Sequence, residues 1–183
     1  DATKDKGLIP KILSDALSVG FDTNVGHDFL GNYKERFDYY HRKEERIPFD
    51  LVYFNKITNG GFPKKTLNVF LAPPHSGKTL MMCHMAASFV NSGKNVLYIT
   101  LEMAEEEIAK RIDSNLLNIS IEDLMKLDMS SYEKRVSKIK EKVTGKLIIK
   151  EYPTGVGSTN HFRVLLNELN LKINFIQIGR AHV

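Results

Sequence analysis

At 183 residues, with 42% hydrophobic and 26% charged side chains, the chain has the composition of one globular domain with appendages and room for a sizeable core. Its formal charge of +4 is compatible with a polyanionic partner without establishing one. A single cysteine excludes an internal disulfide framework and fits a reducing compartment, and no apolar run approaches membrane length, so a soluble, cytoplasmic protein is expected.

The first predicted element is an amphipathic helix over residues 8–18, where Leu8, Ile9, Ile12, Leu13, Ala16 and Leu17 fall at helical spacing and Pro10 is tolerated in the first turn. A mixed segment separates it from a charged helix over about 30–45, on which Tyr33, Phe37 and Tyr40 share a face. Its closing run Arg42-Lys43-Glu44-Glu45-Arg46 nearly cancels in charge and reads as a solvated surface. Residues 1–46 are therefore expected to be a helical linker ahead of a domain over 47–177. That domain opens with a short helix over 49–57, ended by Asn59-Gly60-Gly61.

Residues 67–71, Leu-Asn-Val-Phe-Leu, read as a strand, and residues 80–90 as a helix. Between them lies Ala72-Pro73-Pro74-His75-Ser76-Gly77-Lys78-Thr79, a relaxed phosphate-binding P-loop in the strand-loop-helix context that such a match requires. The candidate binding residues are His75, Ser76, Gly77, Lys78 and Thr79. Gly77 lets backbone N–H groups close on phosphate oxygens at the positive end of the helix. Lys78 would reach the β- and γ-phosphates of ATP or another nucleoside triphosphate, and the Thr79 hydroxyl would ligate Mg²⁺. Pro73 and Pro74 each remove an N–H donor, but from the half of the loop whose amides face phosphate least.

Cys83 sits in the apolar helix as a core thiol, and adjacent His84 points elsewhere, so the pair lacks zinc-site spacing. Val96-Leu97-Tyr98-Ile99-Thr100 is the next buried strand, joined to the P-loop strand by a right-handed parallel crossover. Glu102 lies at its carboxyl end, the edge where open α/β sheets bind ligands, and a carboxylate there can orient or deprotonate a water facing the γ-phosphate. A plainer reading makes it part of the acidic start of the next helix with Glu105, Glu106 and Glu107; position favours Glu102 over those three. That helix, over about 104–117, carries Ile108, Ile112, Leu116 and Leu117 on one face and Lys110 and Arg111 towards the other. Helices at about 121–127 and 130–143, a strand at 147–151 and a helix capped by Ser158 or Thr159 follow, up to where another strand should start.

Residues 178–183, Ile-Gly-Arg-Ala-His-Val, continue no pattern before them and resemble the translation of a short-read sequencing adapter. They are expected to be a non-native tail and are set aside from fold reasoning.

The strings 47–50 and 54–61, the P-loop, and Leu97-Tyr98-Ile99-Thr100-Leu101-Glu102-Met103 with Lys110-Arg111 resemble the DnaB-type replicative helicases and, among them, those of T-even-type bacteriophages. The resemblance implies a RecA-like α/β fold, a parallel sheet with flanking helices, assembled as a hexameric ring. It further implies nucleoside triphosphate and Mg²⁺ between subunits, single-stranded DNA through the centre, and primase and other replisome proteins as partners. It places Lys78, Thr79 and Glu102 at the family's phosphate lysine, magnesium ligand and catalytic glutamate, and docks the linker helix on the adjacent subunit. Ala72 and Pro73-Pro74-His75 depart from the family's wording. The resemblance also implies that the Walker B aspartate, DNA loops and arginine finger fall beyond this sequence, leaving the P-loop strand separated from strand 96–100 by two missing strands and this piece inactive alone. A RecA-type recombinase and a non-catalytic ATP-binding scaffold are the alternatives.

Overall fold

The computed structural model describes residue 14 and residues 26–179. The chain divides into two compact units, residues 1–44 and 45–183. The amphipathic helix expected over 8–18 lies outside the described residues, Ser14 excepted.

In the first unit, α1 spans Tyr33–His41 and buries no side chain. Tyr33, Phe37 and Tyr40 share its face and are all exposed. The charged helix expected to reach residue 45 stops earlier, because Arg42 turns to extended backbone.

The second unit begins with β1 (Arg46–Ile47), α2 (Val52–Ile57) and β2 (Phe62–Pro63), the two strands pairing antiparallel. The helix expected from residue 49 starts at Val52, since Asn55 folds its side chain back to accept from the Phe49 N–H (2.8 Å) and donate to the Phe49 carbonyl (2.7 Å). Gly61 makes the hairpin possible: at φ +116° a Cβ would meet the Ile47 carbonyl oxygen at 2.0 Å.

Then come α3 (Lys78–Asn91), β3 (Val96–Thr100), α4 (Glu105–Leu117), α5 (Ile121–Met125), α6 (Met129–Lys142), β4 (Leu147–Glu151), α7 (Thr159–Leu169) and β5 (Phe175–Gly179). Three strands form a parallel sheet in the order β4-β3-β5. β3 is central, and all five of its side chains are buried, as its unbroken apolar run requires. Cys83, Ala86, Ala87 and Val90 recur at helical spacing along α3 and are buried. Phe49, Phe62, Phe89 and Phe175 form an aromatic cluster with neighbouring centroids 4.5–6.1 Å apart, which joins the β1–β2 hairpin, α3 and β5.

Two expectations need correction. Residues 67–71 form no strand and pair with nothing; Leu67 and Leu71 are 90% and 89% exposed. An apolar run becomes a strand only beside a free ladder, and this one stands at no edge of the β4-β3-β5 sheet. Conversely, Ile178 and Gly179, set aside as tail, extend β5 in register with Ile99 and Thr100. That strand is poorly matched to its site. It exposes Ile176 and Ile178 while burying Gln177, whose amide nitrogen and oxygen both lack partners among the described residues.

Candidate nucleotide site

Two loops meet the sheet's carboxyl edge. The first is residues 72–77, leading into α3. Gly77 is the N-cap of that helix at φ +90°, ψ +17°, left-handed backbone that glycine adopts freely, and a Cβ there would touch nothing within 4 Å. Glycine is thus required for conformation, not for space. His75, two residues earlier, is also left-handed at φ +59°.

The prolines hold the loop through their carbonyl side. The Pro73 oxygen accepts from the Ser76 hydroxyl (2.6 Å), the Ser76 N–H (3.4 Å) and the Lys78 Nζ (2.9 Å), while Lys78 also donates to the Ala72 oxygen (2.8 Å). The ammonium is therefore folded over the mouth of its own loop, close to the first-turn amides of α3, which have no intrahelical acceptor. Positive charge, orphan donors and the positive end of a 14-residue helix converge on one point, an arrangement that favours a phosphate-bearing anion. Thr79 is half-buried in the same turn. His75, Ser76, Gly77, Lys78 and Thr79 thus lie together.

The second loop follows β3. Thr100, 2% exposed, donates its hydroxyl to the Met103 carbonyl (2.8 Å) and accepts from the Met103 N–H (3.0 Å), closing the turn Leu101-Glu102-Met103. The Leu101 N–H donates to the Gly179 carbonyl at 3.0 Å, and Thr154 Oγ1 donates to the Leu101 carbonyl at 3.2 Å. Glu102 projects from this pinned turn, exposed and with no bonding partner among the described residues. Its acidic neighbours are otherwise engaged: Glu105 accepts from the Glu151 N–H (2.8 Å) and faces Lys150 (3.5 Å), and Glu107 pairs with Lys110 (2.6 Å). Thr100 went unnoticed in the sequence; a hydroxyl residue closing a buried strand is the signal that marks it.

Topology puts the two loops at one edge. α3 descends about 21 Å from Lys78, reverses at Gly93 and is followed by β3 rising to Thr100. Between them Tyr98 meets α3 through the Cys83 thiol, and burial, then that thiol, push the phenol's pKa well above its ordinary value. The Cys83 pKa is likewise raised, chiefly by burial. Lower on α3, the His84 imidazole bridges Asp50 (3.0 Å) and Asn115 (2.9 Å), tying residues 49–51 and α4 to the helix.

A glycine-turned loop opening a helix beside the carboxyl end of a buried parallel strand defines an α/β P-loop protein of RecA-like fold. The model of the DnaB-like helicase C-terminal domain matches residues 47–177, and the chain belongs to that family. It is 47% identical over 175 residues, 94% of its length, to the DnaB-like replicative helicase of Enterobacteria phage T4. Over 78 residues, 43% of its length, it is 37% identical to the replicative DNA helicase DnaB of Helicobacter pylori strain 26695. The chain spans 37% of the phage protein's length and 16% of the bacterial one's.

Proposed function

We propose that the chain is the first part of the motor of a replicative DNA helicase, which hydrolyses nucleoside triphosphate to move along single-stranded DNA as a hexameric ring. The observation that carries this reading is the convergence of the Lys78 loop and the Glu102 turn on one sheet edge. The α3 amides and the Lys78 ammonium bind the triphosphate and offset charge on the transferring phosphoryl group. Thr79 contributes its hydroxyl to Mg²⁺, the ion that supplies Lewis-acid stabilisation of the phosphate oxygens. Glu102, free of other partners, orients the attacking water and accepts its proton as a general base. The ring, the DNA strand, and contacts with primase and other replisome proteins are carried over from the family likeness. No helix among the described residues is long and apolar enough to cross a membrane, and a phage relative fits action in the host cytoplasm.

The test separates binding from chemistry in the helicase that carries this domain. Lys78→Ala should weaken triphosphate binding by about 1.5–3 kcal/mol, the value of a charge-assisted hydrogen bond. Glu102→Gln should leave binding nearly intact and lower turnover about 10²–10⁴-fold. Unaltered affinity in the first variant, or weakened binding with normal turnover in the second, would sink the assignment.

A further inference from the structure

The opposite edge of the sheet is built differently. Asn95, just before β3, knots the starts of all three parallel strands. Its N–H donates to Asn174 Oδ1 (2.9 Å), its Nδ2 to the Lys172 carbonyl (2.9 Å), and its Oδ1 accepts from the Lys146 N–H (3.1 Å). The Val96 N–H in turn donates to the Lys146 carbonyl at 2.7 Å. This knot fixes Lys94, Lys146 and Lys172 side by side at the amino ends of β3, β4 and β5. Lys64 joins them from the turn after β2, paired with Glu45, and the charges of Lys94 and Lys172 both bear on that same carboxylate. Lys64, Lys146 and Lys172 are exposed and Lys94 half-buried. Four lysines around one glutamate form a basic rim, whereas Glu102, Glu105, Glu106 and Glu151 gather at the nucleotide edge. The modest +4 of the whole chain conceals this separation.

We propose that this rim binds the phosphodiester backbone of nucleic acid, as a contact distinct from the nucleotide site. Neighbouring strands lie about 4.8 Å apart, so the three strand-start lysines span roughly 10 Å. At one charge per about 3.4 Å along a strand, that width faces about three phosphates. The hydrogen bonds of Asn95 hold the backbone beneath all three lysines, so the charges are presented on a fixed frame. Binding here reads charge and not sequence, and it is steeply salt-dependent. The choice of nucleic acid as the polyanion rests on the helicase reading above; the rim itself rests on the knot.

The experiment titrates the 183-residue chain against fluorescently labelled oligothymidine, and against a duplex of equal length, by anisotropy over a series of KCl concentrations. The triple variant Lys94→Gln/Lys146→Gln/Lys172→Gln should flatten the slope of log K against log salt by about 2 with oligothymidine, at about 0.7 per phosphate contact. A larger flattening with duplex, about 0.9 per contact, would identify duplex as the source of the phosphates. Arginine at the same three positions should restore the slope, and a normal melting curve for the glutamine variant excludes unfolding as the cause. A charge-matched control, Lys126→Gln/Lys134→Gln/Lys138→Gln, should leave the slope unchanged. Equal flattening in the control, no flattening in the rim variant, or no binding of either oligonucleotide by the parent chain overturns the proposal. Failure of the nucleotide assignment would show instead in the Lys78→Ala titration, which uses no nucleic acid.

Discussion

Two apolar five-residue runs each lead into a loop of the candidate site, and they meet opposite fates. Residues 96–100 form β3, with every side chain buried between α3, α4 and two parallel neighbours. Residues 67–71 have an equally strand-like sequence, yet they pair with nothing and leave Leu67, Val69 and Leu71 exposed. Composition gives a segment the capacity to be a strand; a neighbour with free N–H and C=O groups decides whether it becomes one. The contrast passes on to the site. The Glu102 turn is fixed by the sheet through Thr100 and Leu101, whereas the Lys78 loop is fixed only by its own bonds and by the start of α3.

The largest effect should come from breaking the buried run. Leu97 is fully buried, so Leu97→Ala should cost about 2–5 kcal/mol through lost transfer energy and the cavity left behind. Chemical denaturation reads this as a lower midpoint with an unchanged slope. A cost near zero would mean that β3 is not the centre of the fold.

Next in size is the link from that strand to the turn. Thr100→Val removes the hydroxyl and strands the Met103 N–H, a loss of about 1–3 kcal/mol for a buried donor without its acceptor. Thr100→Ser keeps the bond and should recover most of it. Hydrogen exchange at the Met103 amide checks the mechanism locally: it should quicken in the valine variant and stay slow in the serine one. If both variants exchange as the parent does, the turn is held by something other than Thr100.

The unpaired run supplies the counterpart. Leu71→Ala should change the stability of this chain by no more than about 0.5 kcal/mol, as for an exposed side chain with no special contact. A loss comparable with that of Leu97→Ala would show the segment buried in solution, and the comparison would collapse.

What could be read in the sequence follows the same division. β3, the helix after the P-loop, and Glu102's place beyond the strand were legible because local periodicity and burial agree there. Glu105 and Glu107 were correctly set below Glu102 from position, and each has its own ion pair. Residues 67–71 were misread because pairing is a property of two segments, and no window of one sequence contains the partner. Asn55 and Thr100 escaped notice for a related reason. Their side chains replace backbone bonds, at Phe49 and Met103, that become available only once the chain has turned. β5 was underestimated at its end, where Ile178 and Gly179 continue the ladder although the pattern of its side chains argues against it.

The smallest effect lies at the surface, where a cap and not a core sets the outcome. Asp128 is the N-cap of α6; its carboxylate accepts from the Ser131 N–H at 2.8 Å and from the Ser131 hydroxyl at 3.0 Å. Those bonds, the backbone one foremost, hold its pKa below the ordinary aspartate value. A depressed folded-state pKa means that its contribution is present in full above the unfolded-state value and fades as pH falls through the folded one. Being fully exposed, it should influence only the first turn of α6. Asp128→Asn keeps an oxygen acceptor but nothing that titrates, so the helix should persist at neutral pH while its acid sensitivity flattens. Asp128→Ala should fray the turn at every pH. Exchange of the Ser131 amide followed through the acid range distinguishes them, and an asparagine variant with the parent's acid profile would locate the titrating group elsewhere. Ser120, which accepts from the Asp123 N–H at 3.0 Å, caps α5 without a charge of its own. Its amide therefore serves as the internal reference for acid exchange that owes nothing to Asp128.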